Sequence, residues 1–303
     1  MGDYLLYQAY GSPAILHEAL LSILSYLRQP AGATVLVYTD QPAHFRAVLG
    51  EVAAVQYVPI EPAQWQAWRG EIDFVHRVKI KVLQHAATHY VGNLLYADTD
   101  TIWVQSPAEI FAALGRGEHF MHVAEGRLGD GNPLNRKINR ALRPAPGQAP
   151  LAGGVAIGPE TQMYNAGVLG LRSLDAPRLA TVLALTEQLY RRYPKHVMEQ
   201  LAFSVVWAQA GPVRAAAPWV YHYWNLKEIR PVLAALFALP PARSLSEWQA
   251  RATRLDVPAL AEDKARFRAL PGWRRALRRW LGRAWQLPAL GPVTGGEGAR
   301  HGR

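Results

Sequence analysis

The sequence predicts an α/β fold: a mostly parallel sheet flanked by helices, with a small helical C-terminal extension. Three observations carry this. Short β-rich runs alternate with runs of helical period through the first half of the chain. Half of the 303 residues are hydrophobic, enough to bury a substantial core. Most of the formal net charge of +10 lies after residue 242, where thirteen Lys and Arg face five Asp and Glu, so the main body is near neutral.

Residues 4–10, 34–38, 55–59 and 93–97 read as strands, and 13–28, 42–49 and 74–90 as the helices between them. The first helix sets Ile15, Leu16, Ala19, Leu20, Ile23, Leu24 and Leu27 on one side, with Pro13 just inside its start. Residues 126–154 break the pattern. They are rich in Gly and Pro, carry Arg127, Arg136, Lys137, Arg140 and Arg143, and lack a sustained apolar period, so they read as a long loop, a candidate lid. Strand-like 155–157 and 166–171 follow, then helices over 176–193 and 197–210, and an extended aromatic run over 218–224. The domain reading is 1–242 for the α/β domain, 243–290 for the basic helical extension and 291–303 for a disordered tail. The absence of cysteine excludes disulfides and thiolate zinc sites. The N-terminus, with Asp3 and only a short apolar run, reads as neither signal peptide nor membrane span.

The most informative segment is the apolar strand 93–97, which runs into Asp98-Thr99-Asp100 before a second apolar stretch over 101–104. Ligands of open α/β sheets bind beyond the carboxyl ends of strands, where these acids fall. Two acids at i and i+2 can converge if the backbone turns, and a hard divalent cation such as Mn²⁺ or Mg²⁺ takes one or two carboxylates and leaves room for diphosphate oxygens. The alternative is a pair of turn-forming or capping acids.

LLYADTDTIW resembles the D-x-D segment of the GT-A glycosyltransferases, in particular the retaining group that includes glycogenin and the bacterial lipopolysaccharide galactosyltransferases. Three further segments match in order: MYNAGVL around Asn165, the pair Glu199-Gln200, and VYH ending in His222. The resemblance covers roughly residues 4–230 and implies a GT-A fold and a hexose transferase using a nucleotide-diphosphate sugar, a UDP-sugar in that group, with retention of configuration. It implies Asp98, Asp100 and His222 as metal ligands, with Asp98 also on the donor. Asn165, Glu199 and Gln200 become candidate catalytic residues, and Tyr10, Lys79 and Lys227 candidate donor-binding residues. Glu stands at 199 where the group has Asp. Lys227 follows His222 by five positions rather than six and lacks the group's Gly-containing motif.

Each residue also has a plainer reading. His222 sits among Trp219, Tyr221, Tyr223 and Trp224 and could be a hydrogen-bonded partner in an aromatic cluster. Arg77, Lys79 and Lys81 could form a solvated helix face, Tyr10 could pack on the first helix, Asn165 could mark a turn, and Glu199 could meet a helix dipole. Near the C-terminus Trp273, Leu277, Trp280, Leu281 and Ala284 share a helical face opposite Arg274, Arg275, Arg278, Arg279 and Arg283. Such a face over 271–285 either lies on an anionic membrane surface or packs on its own domain. The first option gives a cytoplasmic protein held at the inner face of the membrane, where a glycan or lipid-linked acceptor is reached. A nucleic-acid-binding function is disfavoured by the near-neutral body and the lack of a binding motif. A catalytically inert carbohydrate-binding relative is the other alternative. A two-metal phosphoryl hydrolase lacks the further run of acids it would need.

Overall fold

The computed structural model describes residues 1–30, 32–143 and 149–287, and the tail expected at 291–303 lies outside them. The chain opens with β1 (Gly2–Gln8), α1 (Pro13–Tyr26), β2 (Thr34–Thr39), α2 (Pro42–Leu49), β3 (Val55–Pro59), α3 (Pro62–Arg69), α4 (Arg77–His89) and β4 (Gly92–Ala97). The middle comprises β5 (Thr101–Trp103), α5 (Ala108–Gly115), β6 (His119–Met121), β7 (Ala124–Arg127), α6 (Pro133–Ala141), β8 (Gln162–Tyr164) and β9 (Val168–Arg172). Then come α7 (Ala176–Arg192), α8 (Met198–Ala210), β10 (Val213–Ala215), β11 (Val220–His222), α9 (Arg230–Phe237), α10 (Leu245–Thr253), α11 (Val257–Ala269) and α12 (Gly272–Trp280).

Seven strands form the central sheet in the order β10-β6-β9-β4-β1-β2-β3. All neighbours run parallel except around β9, which is antiparallel to both β4 and β6. The fold is thus the mostly parallel α/β sheet flanked by helices that the sequence predicts. Because side chains alternate across a strand, the buried runs feed two cores. Leu5, Tyr7, Val35, Val37 and Leu95 face α1, α5 and α9, whereas Leu6, Leu36, Tyr38, Leu94 and Tyr96 face α4, α7 and α8. Helix α1 begins as read: Pro13 occupies the first turn and the Ser12 side chain caps it by accepting from the Ala14 amide.

Core packing continues past residue 242, since Trp248, Leu255, Val257 and Ala261 of α10 and α11 lie in the same cluster as α1. Only α12 stands clear, with no buried residue. It ends at Trp280, and Gly282 follows with φ 68°, a left-handed geometry that favours glycine. Ala284 is therefore past the helix and does not share its face.

Two expectations fail locally. The stretch read as a loop over 126–154 contains the end of β7 and the nine-residue α6. Asn132 caps α6 by accepting from the Leu134 and Asn135 amides, Pro133 fills the first turn, and Ile138 and Leu142 are buried at a spacing of four. Three basic residues, Arg136, Lys137 and Arg140, dilute that period in the sequence and hide it. Conversely, 155–157 is not a strand: Val155 and Ile157 are buried, yet among the described residues the backbone between them pairs with no strand.

Candidate active site

The site forms where β4 ends at the carboxyl edge of the sheet. The Asp98 amide donates to Gly167 O at 2.8 Å, and the Thr101 hydroxyl donates to Asp98 O at 2.8 Å, so the Asp-Thr-Asp turn is pinned from both sides. The Tyr96 hydroxyl donates to Asp98 Oδ1 at 2.8 Å. Asp100 is buried, not an exposed strand-end acid.

β11 pairs antiparallel with β5 and sets His222 opposite Thr101. That register brings His222 Nε2 to 3.1 Å from Asp100 Oδ1 and 3.9 Å from Asp98 Oδ2, while Nδ1 lies 3.0 Å from Asn165 Oδ1. One ligand atom from each of Asp98, Asp100 and His222 falls within 4.8 Å of the others, so the cluster can hold a metal ion. The donor set fits such an ion: two carboxylates and an imidazole nitrogen are directed at one small volume, and a hard or borderline divalent cation accepts that mixture. Gly167 makes the approach possible, because a Cβ placed there would lie 2.2 Å from His222 Nδ1. The aromatic-cluster reading of His222 gives way to these polar contacts.

Of the three basic residues on α4, Lys79 alone enters the site. Arg77 pairs with Glu187 at 2.8 Å and Lys81 donates to Gln84 at 2.8 Å. Lys79 is 3% exposed and lies 3.1 Å from Asp98 and 3.1 Å from Glu199, and it donates to Ala166 O at 2.8 Å. Burial opposes its charge, but Asp98 and then Glu199 outweigh burial and hold the ammonium at about 12. Burial alone would raise the Asp100 carboxyl, yet its hydrogen bond to His222, with Lys227 beside it, pulls it well below the usual carboxylate range. Lys227 Nζ is 2.6 Å from Asp100 Oδ2 and 3.5 Å from the buried Glu18, which also binds Arg230 through both oxygens.

Glu199 and Gln200 open α8 and are buried. With Asn165, Lys79, Lys227 and the three metal-site residues, they line one cleft of about 580 Å³. Tyr10 does not line it. Its ring stacks on Trp65 of α3, with centroids 4.0 Å apart and an angle of 12°.

The sequence reading missed Glu125, His76, His196, Asn132 and Trp224, all of which line the same cleft. His76 immediately precedes α4, and burial lowers its pKa. None carries a spacing signal, because tertiary packing alone brings them together. Trp224 belonged to the aromatic run over 218–224 and is 57% exposed at the cleft, the one signal available in retrospect.

No family model and no curated protein matches this sequence. Solved structures do. Mouse xyloside xylosyltransferase 1 in its apo form is 12% identical with a TM-score of 0.50, over 81% of this chain and 96% of that one. The galactosyltransferase LgtC, in complex with donor and acceptor sugar analogues, is 13% identical with a TM-score of 0.48, over 82% and 99%. GlyE from Streptococcus pneumoniae TIGR4, a glycosyltransferase, is 11% identical with a TM-score of 0.44, over 93% and 64%. On the first of these matches the fold is that of the GT-A glycosyltransferases. The printed names specify a xylosyltransferase and a galactosyltransferase, and for GlyE a glycosyltransferase with no sugar stated.

Proposed function

We propose that this chain is a metal-dependent glycosyltransferase that moves a hexose from a nucleotide-diphosphate sugar, a UDP-sugar, to a glycan or lipid-linked acceptor with retention of configuration. The observation that carries this is the convergence of Asp98, Asp100 and His222 at the carboxyl edge of a GT-A sheet, inside a cleft that also presents Lys79, Asn165, Glu199 and Gln200. Mn²⁺ or Mg²⁺ held by Asp98, Asp100 and His222 would supply Lewis-acid stabilisation of the departing diphosphate.

The remaining work falls to the chain itself. Lys227, whose side chain is 45% exposed, would meet a phosphate as a point charge. Lys79 is locked between Asp98 and Glu199, so its part is to fix both carboxylates rather than to reach a ligand. Glu199 is held by that lysine at 3.1 Å, which suits stabilising positive charge on the sugar better than free nucleophilic attack. Asn165 and Gln200 line the same cleft, and the N–H of either amide not taken by Glu125 would serve sugar hydroxyls.

Among the described residues no helix is long and apolar enough to cross a membrane. On α12, Trp273 is 64% and Trp280 81% exposed, beside Arg274, Arg275, Arg278 and Arg279. That supports an anionic membrane surface as a partner, with the protein peripheral on the inner, cytoplasmic face.

Calorimetry with UDP, UDP-glucose and UDP-galactose, each with and without Mn²⁺, tests the reading. Mn²⁺-dependent binding of one of them is expected. A folded protein that binds none of them under either condition would sink the UDP-sugar assignment.

A further inference from the structure

Glu125 makes no hydrogen bond to the three candidate ligands, yet it governs two side chains beside them. Its Oε1 accepts from Asn165 Nδ2 at 3.0 Å, and its Oε2 accepts from Gln200 Nε2 at 2.7 Å. At the other end of each amide sits a backbone N–H, which can only donate. The Gly167 amide meets Asn165 Oδ1 at 2.9 Å, and the Ala166 amide meets Gln200 Oε1 at 3.3 Å. A carboxylate on one side and an N–H on the other leave each side-chain amide a single orientation. Asn165 must therefore present its oxygen to His222 Nδ1, 3.0 Å away. An amide oxygen cannot donate, so the proton in that bond belongs to Nδ1.

We infer that Glu125 is a positioning residue for the metal centre. Through Asn165 it assigns a proton to His222 Nδ1, so that Nε2, which faces Asp100 Oδ1 at 3.1 Å, is the nitrogen that would give up its proton to an ion shared with Asp98 and Asp100. Through Gln200 it fixes a second amide over the same cleft. The inference rests on the metal-site reading given above. It depends on charge and not on packing alone, because only a carboxylate can accept from both amides at once. Glu125→Gln places one oxygen and one NH₂ group where two oxygens stood. One of the two amides must then turn, and if Asn165 turns, its NH₂ confronts two donors, the Gly167 amide and His222 Nδ1–H. Outer partners of this kind orient ligating histidines and fix their tautomer.

The test uses the full chain. In ¹⁵N-histidine-labelled protein, NMR should find His222 Nδ1 protonated both without metal and with diamagnetic Mg²⁺. In Glu125→Gln, Mn²⁺ affinity measured by calorimetry should fall about 10- to 100-fold, as for other outer-shell changes. Glu125→Asp, which keeps two accepting oxygens, should recover most of that loss. An unprotonated Nδ1 in the unaltered protein overturns the inference, as does Mn²⁺ affinity within about twofold of normal in a folded Glu125→Gln protein, since the expected loss is at least tenfold. Should Glu125→Gln fail to fold, the unaltered protein's Nδ1 decides alone. If the unaltered protein bound no Mn²⁺, the metal reading would fall while the Nδ1 result still judged the Glu125 chain separately.

Discussion

Two regions of this molecule concentrate charge and treat it differently. In the cleft, Lys79, Asp98, Glu199, Asp100, His222 and Lys227 each lie between 2.6 and 3.9 Å from an opposite partner, and most are buried. On α12, Arg274, Arg275, Arg278 and Arg279 have no carboxylate within 4.0 Å among the described residues, and the adjoining tryptophans face solvent. Charge in the cleft is committed to other groups of the same fold, so each member constrains its neighbours. Charge on α12 meets no acid among the described residues and stays in solvent. Burial, not charge count, separates the two.

The sharpest way to break the comparison is Asp100→Asn, which keeps the shape and removes the charge. Mn²⁺-dependent turnover should fall roughly 10³-fold or more, the scale of several kcal/mol of transition-state charge stabilisation. Steady-state kinetics on a protein with unchanged circular dichroism would check this, and near-normal turnover would refute the role of Asp100. Next, Lys79→Met leaves Asp98 and the buried Glu199 without their shared cation. Urea unfolding should show a loss of about 3–5 kcal/mol, as for breaking a buried pair by removing one partner. A loss under about 1 kcal/mol would mean the network is no tighter than a surface pair.

A smaller effect is expected from His122, whose ring lies 5.3 Å from that of His222. Burial, followed by the neighbouring His222, lowers its pKa to about 4, against about 6.5 in an unfolded chain. Between those values the unfolded state binds more protons, so stability falls as pH drops from about 6.5 to about 4. His122→Gln should remove on the order of 2–3 kcal/mol of that acid sensitivity, read from melts across this range. A melting profile with the same pH slope in both proteins would count against it. The smallest change lies on α12. Arg278→Gln should leave folding stability within about 0.5 kcal/mol while weakening association with anionic vesicles by about 1 kcal/mol, and neutral vesicles should show no difference. Equal binding of both proteins to anionic vesicles would remove the membrane reading from this arginine.

What the sequence could reveal followed from local pattern. β4 is buried along its whole length, so its apolar run was legible, and the acids at its end were legible by position. The start of α1 was legible because Ser12 and Pro13 form a cap signal. α6 was obscured because Leu134, Ile138 and Leu142 are spread among basic residues, and α3, which supplies the buried Trp65 and Trp68, was passed over. Lys79 could be separated from Arg77 and Lys81 only by geometry, because all three occupy one short helical stretch. Glu125 left no trace, since its importance comes from two amides 40 and 75 positions away.

The β5–β11 ladder gives the centre a place in time. Asp100 and His222 are 122 positions apart and meet only when those strands pair. A chain made from its N-terminus exposes both acids long before the histidine exists, and closing so distant a contact is slow compared with forming the helices. Metal uptake would thus report the completion of folding rather than the initial collapse. A nascent chain stopped short of residue 222 would own all seven strands of the central sheet and still be unable to assemble the three-residue centre.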